Sequence, residues 1–260
     1  MRLRFLGTGT SFGVPVVGCD CPVCTSDDPK NRRSRHSLAL EEDGRVLLVD
    51  TSPELRLQLL SAGIRHVSAV LLTHLHADHV HGIDDLRIFS VRGRGPLPLY
   101  VAREYAAELS ARFPYIFDDS VQPNPGTSSP EIDLRTFEAG DNLSIEGFEL
   151  QPLACPHGHV RSYGFRVGRL GVVVDGKRIP PEAQEVLQGV EVLVINALWW
   201  GNPHPTHFNV EEAIQTARSI GATRTYLTHL THRLEHDKLK ASLPEGVEPA
   251  FDGLVVEIER

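Results

Sequence analysis

The stretch Thr73-His74-Leu75-His76-Ala77-Asp78-His79 decides the fold, and it directly follows an apolar run with the length of a buried strand. In an extended segment residues two apart face the same way, so His74 and His76 can bind one metal ion. If the chain then turns into a helix, Asp78 and His79 point toward a neighbouring position. Three imidazoles and one carboxylate form a ligand set suited to zinc or a similar ion. The alternative is a polar loop with exposed histidines.

Length and composition indicate an ordinary globular chain. The 260 residues are 41% hydrophobic and 23% charged, and without a recognisable linker they predict a single domain over residues 1–260. No apolar run reaches the roughly 18 residues of a membrane span, and the first residues do not resemble a signal peptide, so we expect a cytoplasmic protein that does not bind membranes. The formal charge of −8 argues against nucleic acid as a partner. Thirteen histidines are a high count, and their positions become the main question.

Strands and helices are predicted to alternate along the chain, which indicates an α/β sandwich with mixed sheets. The predicted strands are Arg2–Gly7, His36–Glu42, Arg45–Asp50, Val67–Thr73, Pro96–Ala102, antiparallel strands within Leu134–Pro152 and Tyr163–Val174, Val190–Ala197, Thr225–His229 and Gly253–Glu259. The predicted helices are a segment capped by Ser52 that ends at Gly63, Arg103 to about Phe117, Pro181–Gln188, Val210–Gly221 and His232–Leu243. Asp118–Pro130 is predicted to be a loop, because it is rich in Pro, Ser, Asn and Gly.

Further histidines and an aspartate follow other predicted strands. His157 and His159 follow one strand, Asp175 follows the next, and His229 follows Thr225–Leu227. Each is a weak signal alone, since a single polar residue at a strand end is usually at the surface. Together with the first cluster they complete two ligand sets. We predict that His74, His76 and His157 bind one metal, that Asp78, His79 and His229 bind a second, and that Asp175 lies between them. Two metals with a hydroxide between them are typical of hydrolases.

The His-x-His-x-Asp-His pattern with these downstream residues resembles the metallo-β-lactamase superfamily nearly end to end. Leu6–Thr10, Gly13-Val14-Pro15, Thr73–Gly82, His207-Phe208-Asn209 and Leu227–His232 are similar to one branch, the phosphoribosyl cyclic phosphate phosphodiesterases of bacterial phosphonate degradation. The resemblance implies an αββα sandwich of two mixed sheets flanked by helices, with two Zn²⁺ or Mn²⁺ ions at the sheet edge. It also favours His157 over His159 as the ligand, since His157 stands seven residues before Gly164-Phe165.

A second metal site is predicted from three cysteines. Cys19, Cys21 and Cys24 lie within six residues, and without a secretory signal metal binding is a better interpretation than disulfides. A closed tetrahedral zinc site needs a fourth ligand, and the resemblance implies that this is His232. Such a structural Zn²⁺ would stiffen one wall of the active site. Plain reduced thiols in a surface loop are the alternative. Cys155 has no partner in sequence and is interpreted as a buried apolar residue.

Two residues are predicted to take part in catalysis, one of which, Asp78, is also a predicted metal ligand. His207 matches a histidine that the resembled enzymes place near the substrate phosphate, so we expect a hydrogen-bond donor or general acid to the leaving oxygen. The alternative is a helix-terminal residue without chemistry. Asp78 is the second predicted catalytic residue. Asp50, at a strand end, is a plausible partner for a metal-bound imidazole.

Several other residues keep open roles. The basic residues Arg32, Arg33 and Arg35 would contact an anionic substrate or form an exposed basic stretch, and Trp199 and Trp200 would line the pocket or lie in the core. Surface positions or positions behind the ligands are expected for His36, His66, His81, His204 and His236.

The sequence therefore predicts a binuclear metal-dependent phosphodiesterase that acts on a small anionic cyclic or diester phosphate. The sequence departs from the resembled branch at two places: Gly176-Lys177 follows Asp175, and Asn196 stands where related chains often carry an acid. The first departure leaves metal ligation intact but argues against the phosphoribosyl substrate itself. A carboxyl-ester, lactone or thioester hydrolase is the alternative within enzymes, distinguished by whether Arg and Lys converge on the cleft. RNA 3′-processing and a non-catalytic metal-binding domain are weaker alternatives. A homodimer is compatible with the sequence.

Overall fold

The first of two sheets carries the strand that leads into the histidine cluster. The structure, a computed structural model, describes residues 1–121 and 123–259. The strands of this sheet are β1 (Arg2–Gly7), β2 (Ser37–Glu42), β3 (Arg45–Val49), β4 (Ala69–Leu71), β5 (Leu97–Ala102), β6 (Ile132–Phe137) and β14 (Val255–Glu257). Their order is β14-β1-β2-β3-β4-β5-β6. Neighbours from β14 to β3 are antiparallel and neighbours from β3 to β6 are parallel, so the sheet is mixed.

The second sheet repeats this arrangement with the other seven strands. They are β7 (Leu143–Ile145), β8 (Phe148–His157), β9 (Val160–Val167), β10 (Leu170–Val173), β11 (Val192–Asn196), β12 (Arg224–Thr228) and β13 (Val247–Pro249). Their order is β13-β12-β11-β10-β9-β8-β7. Neighbours from β7 to β10 are antiparallel and those from β10 to β13 are parallel. A tight turn at Glu146-Gly147 joins β7 to β8, and both residues have the positive φ angles that such a hairpin turn requires.

Eight α-helices accompany the sheets in the described part of the chain. They are α1 (Leu55–Ala62), α2 (Ala77–Val80), α3 (Arg87–Phe89), α4 (Arg103–Arg112), α5 (Pro114–Phe117), α6 (Pro181–Leu187), α7 (Val210–Ile220) and α8 (His236–Ser242). Helix α7 is the most clearly encoded: Asn209 and Glu212 form a capping box at its start, and Gly221 ends it in the left-handed conformation. None of the described helices is long and apolar enough to cross a membrane.

Apolar side chains from both sheets form the main core. Phe5 of β1 packs against Tyr226 of β12, with ring centroids 5.9 Å apart, and Phe137 of β6 packs against Tyr163 of β9 at 5.4 Å. A second buried cluster joins the outer face of the second sheet to α6, α7 and α8. This layering confirms the predicted αββα sandwich.

Three local predictions were wrong. Leu134–Pro152 is not one antiparallel unit, because β6 pairs parallel with β5 in the first sheet while β7 and β8 belong to the second. Ser52 does not cap α1; its hydroxyl donates to Gln58 Oε1 instead. The predicted helix His232–Leu243 begins only at His236, after a segment that contributes to the cysteine site.

Other predicted boundaries moved by smaller amounts. The helix from Arg103 is interrupted at Phe113, so two helices replace one. The short strand β13 was not predicted, because its three residues end at Pro249 and directly follow Pro244-Glu245-Gly246, and proline and glycine are unfavourable within strands. The predicted loop Asp118–Pro130 contains no helix or strand among its described residues, and Gln122 within it lies outside them.

Candidate active site

Loops at the ends of strands from both sheets converge on one cleft. His74 and His76 follow β4, while Asp78 and His79 lie on the short helix α2 that begins directly afterwards. From the second sheet, β8 ends at His157, β10 leads to Asp175, and β12 leads to His229. The structure thus brings together all seven predicted active-site ligands, four from the first sheet and three from the second.

The first ligand set consists of His74, His76, His157 and Asp175, whose ligand atoms all lie within 4.8 Å of one another. His76 Nδ1 lies 2.9 Å from His74 Nε2 and 3.2 Å from His157 Nε2. Asp175 Oδ2 lies 3.5 Å from His74 Nε2. Three imidazole nitrogens that face one point at these distances are a suitable arrangement for a divalent cation, which would accept all three lone pairs.

The second ligand set consists of Asp78, His79 and His229, with Asp175 beside it. His79 Nε2 lies 3.4 Å from Asp78 Oδ2 and 3.2 Å from Asp175 Oδ2. His229 Nε2 lies 3.2 Å from the other carboxylate oxygen of Asp175, Oδ1. The carboxylate of Asp175 therefore faces both sets, as predicted for a residue between two ions.

Burial keeps the imidazoles of the first set neutral. It lowers the pKa of His74 well below the usual value and the pKa of His157 to about 4, because an imidazolium ion is poorly solvated there. Asp175 opposes this effect in both cases but does not overcome it. At neutral pH each ring therefore offers a lone pair, which is the form that binds a metal.

Opposite charges dominate the second set. Burial alone would lower the pKa of His79, but Asp50, Asp78 and Asp175 raise it well above its ordinary value. Burial alone would raise the pKa of Asp175, but its interactions with the neighbouring rings of His229, His207 and His79 hold that pKa well below its usual range. Such a concentration of buried acidic groups beside imidazoles is expected where cations bind.

Asp50 supports the second set from behind. It is completely buried, and its Oδ2 lies 2.7 Å from His79 Nδ1. Its carboxylate also accepts hydrogen bonds from Thr73 N (2.8 Å) and from the Thr73 hydroxyl (2.9 Å). A proton on His79 Nδ1 leaves Nε2 free to face the cleft, so Asp50 orients a predicted ligand.

The four residues of the predicted structural zinc site also meet. His232 Nδ1 lies 3.3 Å from Cys19 Sγ, 3.5 Å from Cys21 Sγ and 3.6 Å from Cys24 Sγ. The pKa of Cys21 is lowered to about 6, chiefly because its sulfur accepts a hydrogen bond from Cys24 N. A thiolate is thus favoured near neutral pH, and the chemistry of this donor set fits Zn²⁺.

His207 faces the same cleft as the ligand sets. Its Nε2 lies 3.4 Å from Asp175 Oδ1, and its Nδ1 lies 2.8 Å from the Thr206 hydroxyl. When this hydroxyl donates to Nδ1, the ring proton resides on Nε2, the nitrogen nearest to Asp175. The geometry therefore suits a donor, and it also places His207 near enough to join Asp175 and His229 as a ligand.

The three arginines of the predicted basic stretch do not line the cleft. Arg33 is almost fully buried and donates to Thr231 O (2.9 Å) and Leu234 O (2.8 Å), so it supports the loop that carries His232. Arg35 forms an ion pair with Glu54, and Arg32 is exposed and is not among the residues that line the metal cleft. Neither predicted role holds for Arg33, because a guanidinium can be buried when carbonyl groups satisfy it.

The structure also shows the surroundings of three residues whose roles the sequence left open or secondary. Cys155 is completely buried, as interpreted. His159 is exposed and outside both ligand sets, whereas His157 belongs to the first. Asn196 is buried at the end of β11, where one amide orientation donates to Gly176 O (3.2 Å) and accepts from Phe208 N (3.1 Å). It thereby connects the loops of Asp175 and His207.

His36 lies behind the ligands, one of the two positions expected for it: it is fully buried, with its ring 5.6 Å from that of His79. One feature of the site was missed from the sequence. A side cavity next to the cleft is lined by Thr10, Ser11 and Phe12 of one loop and by Trp199 and Arg233 of two others. The small-residue turn after β1 was the available signal for this loop, but its distance from Trp199 along the chain concealed the contact.

Comparisons with known proteins match this architecture. The sequence profile of the β-lactamase superfamily domain matches residues 45–230. A crystal structure of a diphosphatase from the PhnP family superimposes with a TM-score of 0.90 at 35% identity, covering 99% of this chain and 98% of the other.

Two curated relatives differ in how much of their length is matched. The chain is 37% identical over 261 residues to an octanoyltransferase of Porphyromonas gingivalis, which covers all of this chain but 52% of that protein. It is 26% identical over 295 residues to ribonuclease Z of Methanopyrus kandleri, covering 99% and 98%. The chain spans about half the length of the first curated relatives that it matches.

Proposed function

The chain belongs to the metallo-β-lactamase superfamily, and from that premise we propose that it is a metal-dependent hydrolase that cleaves a small phosphate diester or cyclic phosphate. The observation that carries this proposal is the pair of ligand sets with the carboxylate of Asp175 between them. The likeness to a diphosphatase over nearly the whole of both chains supports a phosphate substrate.

The donors present fit two divalent ions. His79 Nε2, His229 Nε2 and Asp175 Oδ1 are buried without a hydrogen-bond partner, and all face the space between the two sets. Unsatisfied buried polar atoms are costly, so their convergence indicates a cation as the missing partner. We propose that His74, His76 and His157 hold one Zn²⁺ or Mn²⁺, that Asp78, His79 and His229 hold the other, and that Asp175 serves both. When bound, two such ions supply a nucleophile at neutral pH and stabilise negative charge on phosphoryl oxygens.

The protein's own side chains would orient a metal ligand and protonate the leaving group. Asp50 fixes the tautomer of His79 through its Nδ1. Asp78 lies beside His79 and His229 and would supply a carboxylate oxygen to the same ion as these two rings. His207 presents Nε2 to the cleft and would donate its proton to the leaving alkoxide, a step typically worth about 10²–10⁴-fold in rate.

The test uses purified protein with Zn²⁺ or Mn²⁺ and two substrates, bis-p-nitrophenyl phosphate and a ribose cyclic phosphate. We expect turnover of at least one, its loss in His157→Ala, and its retention in His159→Ala. His159 is a matched control because it is exposed near the cleft but belongs to neither ligand set. Metal-loaded protein that hydrolyses neither diester would refute the phosphodiesterase proposal.

A carboxyl-ester or thioester hydrolase is the second candidate, and one observation favours it. The described residues that line the metal cleft include neither Arg nor Lys, whereas convergence of such residues was expected for a phosphate substrate. The similarity to a protein named octanoyltransferase is compatible with acyl chemistry, although half of that protein lies outside the match. The assay therefore includes a thioester and a lactone. RNA 3′-processing ranks lower, because the net charge of −8 disfavours a long polyanion.

A further inference from the structure

A cavity of about 370 Å³ adjoins the metal cleft. Ser11, His207 and His229 border both spaces, so a molecule that reaches the ligand sets can extend into the cavity. Its volume lies within the range of about 300–1,000 Å³ that is typical of pockets for small organic ligands. A cyclic phosphate on a single sugar would leave much of it empty.

One wall of the cavity is a stacked pair of side chains. The guanidinium of Arg233 lies over the indole of Trp199, 4.6 Å from the ring centroid. Trp199 Nε1 donates to Asn202 O (2.8 Å), which fixes the plane of the ring, and the edge of His204 packs against it at 5.3 Å. Within the described chain Arg233 has no carboxylate partner, so its charge is available to a ligand.

A second part of the cavity lining is a loop with apolar side chains that is held in place at several points. Phe12 is 75% exposed at its tip, and Val16 contributes to the lining. Gly13 N donates to Thr10 O, Val14 pairs with Arg33 through both backbone groups, and Val16 N donates to Cys24 Sγ. Phe12 therefore places an exposed aromatic ring on an anchored loop beside the cavity.

We propose that this cavity binds the heterocyclic base of a nucleotide whose phosphate diester or diphosphate lies at the metal cleft. The proposal rests on the phosphodiesterase function above and names its substrate class. Bases stack on tryptophan and on arginine planes, and the exposed Phe12 offers a second aromatic face. The charge of Arg233 would attract the anionic ligand to a chain that is otherwise acidic. An aliphatic acyl chain would use the apolar walls but not this charge.

The first experiment compares two substrates with the same scissile bond, adenosine 5′-(methyl phosphate) and ribose 5-(methyl phosphate). We expect kcat/KM to be higher for the adenosine compound by about tenfold or more, the effect typical of one stacked base. Trp199→Ala should remove the difference by lowering only the value for the adenosine compound. Trp200→Ala is the matched control, because the neighbouring indole is 39% exposed and does not line the cavity.

The second experiment measures binding without catalysis and uses the fact that the chain has two tryptophans. In Trp200→Phe the fluorescence comes from Trp199 alone, and adenosine 5′-monophosphate should quench it saturably while ribose 5-phosphate should not. In Trp199→Phe the remaining Trp200 should show no such quenching. Arg233→Gln should weaken the quenching in the Trp200→Phe background, and it serves as the second variant if Trp199→Ala fails to fold.

The two proposals fail in different ways. If the metal-loaded protein hydrolyses neither the two methyl phosphates nor bis-p-nitrophenyl phosphate nor the ribose cyclic phosphate, but the nucleotide quenches Trp199, the cavity proposal stands and the phosphodiesterase proposal does not. Equal kcat/KM for the two substrates, together with no selective quenching, would overturn the cavity proposal while the hydrolase remains. The cavity proposal would also be overturned if a thioester were hydrolysed in preference to both methyl phosphates and its acyl group protected Trp199 from quenching by acrylamide.

Discussion

Replacing Asp50 by Asn tests whether one buried carboxylate sets the tautomer of a metal ligand. Asparagine has nearly the same shape, and its Oδ1 can still accept from Thr73 N. Its amide nitrogen would then take the place of Oδ2, 2.7 Å from His79 Nδ1, and would donate to that nitrogen instead of accepting from it. The ring proton would move to Nε2, the atom that faces Asp78 and Asp175, and would block binding of a cation there.

The substitution should lower the affinity for the metal strongly and the free energy of unfolding only slightly. Residues that orient a metal ligand typically contribute about 10- to 100-fold in metal affinity, equivalent to about 1.4–2.8 kcal/mol. A hydrogen bond to a charged group is worth roughly 1.5–3 kcal/mol in stability. Burial raises the pKa of Asp50, however, so the buried charge itself costs free energy that asparagine avoids. We therefore expect a decrease of about 1.5 kcal/mol in the unfolding free energy of the metal-free protein.

The assay is competition against a chromophoric chelator, with metal content measured in parallel. Asp50→Asn should weaken one active-site ion, leave the cysteine site filled, and unfold at a slightly lower denaturant concentration. Glu41→Gln is the control, since Glu41 is a mostly buried carboxylate that pairs with Arg2 and Arg4 on the first sheet. If Asp50→Asn bound both active-site ions with an affinity within about twofold of the wild type, the tautomer argument would be wrong.

Three further predictions follow from the same contacts. His207→Ala should lower kcat by about 10²–10⁴-fold with unchanged metal content, and loss of an ion instead would show that His207 is a ligand rather than a proton donor. Cys21→Ser should remove one zinc per chain and lower the melting temperature, because the thiol whose pKa is about 6 is replaced by a hydroxyl that does not ionise; an unchanged zinc count contradicts the structural site. In chelator, stability should fall as the pH decreases from about 6.5 to 4, because His157 stays neutral in the folded chain (pKa about 4) while the unfolded chain is protonated. Urea unfolding should show a loss of roughly 3 kcal/mol for this group over that interval, and a flat profile would exclude the effect.

The local elements were largely predictable because their signals lie within a few residues. β1 has the predicted bounds, the hairpin of β2 and β3 surrounds Asp43-Gly44, and α7 carries its own capping box. The apolar strand that leads into His74 was recognised by its composition alone, although only its central residues pair. In these segments propensity, turn chemistry and burial agree, so no distant contact has to decide between them.

The predictions from sequence were wrong or incomplete where contacts with residues far along the chain decide the structure. β6 reads like the first strand of a meander, yet it pairs with β5 because parallel pairing places Phe137 in the core between the sheets. Arg33 reads as a surface cation, but the carbonyls that bury it lie about 200 residues away. Trp199, Phe12 and Arg233 belong to three separate segments, and only packing reveals that they enclose one cavity.

The sequence by itself determined which residues can bind metal, because histidines and carboxylates concentrated at strand ends have few structural uses. The alternation of apolar strands and helices also indicated an α/β sandwich with mixed sheets, and the resemblance to the superfamily implied the αββα layering. Only the tertiary structure decided how the two ligand sets share Asp175, how Asp50 orients His79, and which side chains form the neighbouring cavity. The physical reason is that a ligand's identity is a local property, whereas distances between loops depend on how the two sheets pack through a common core.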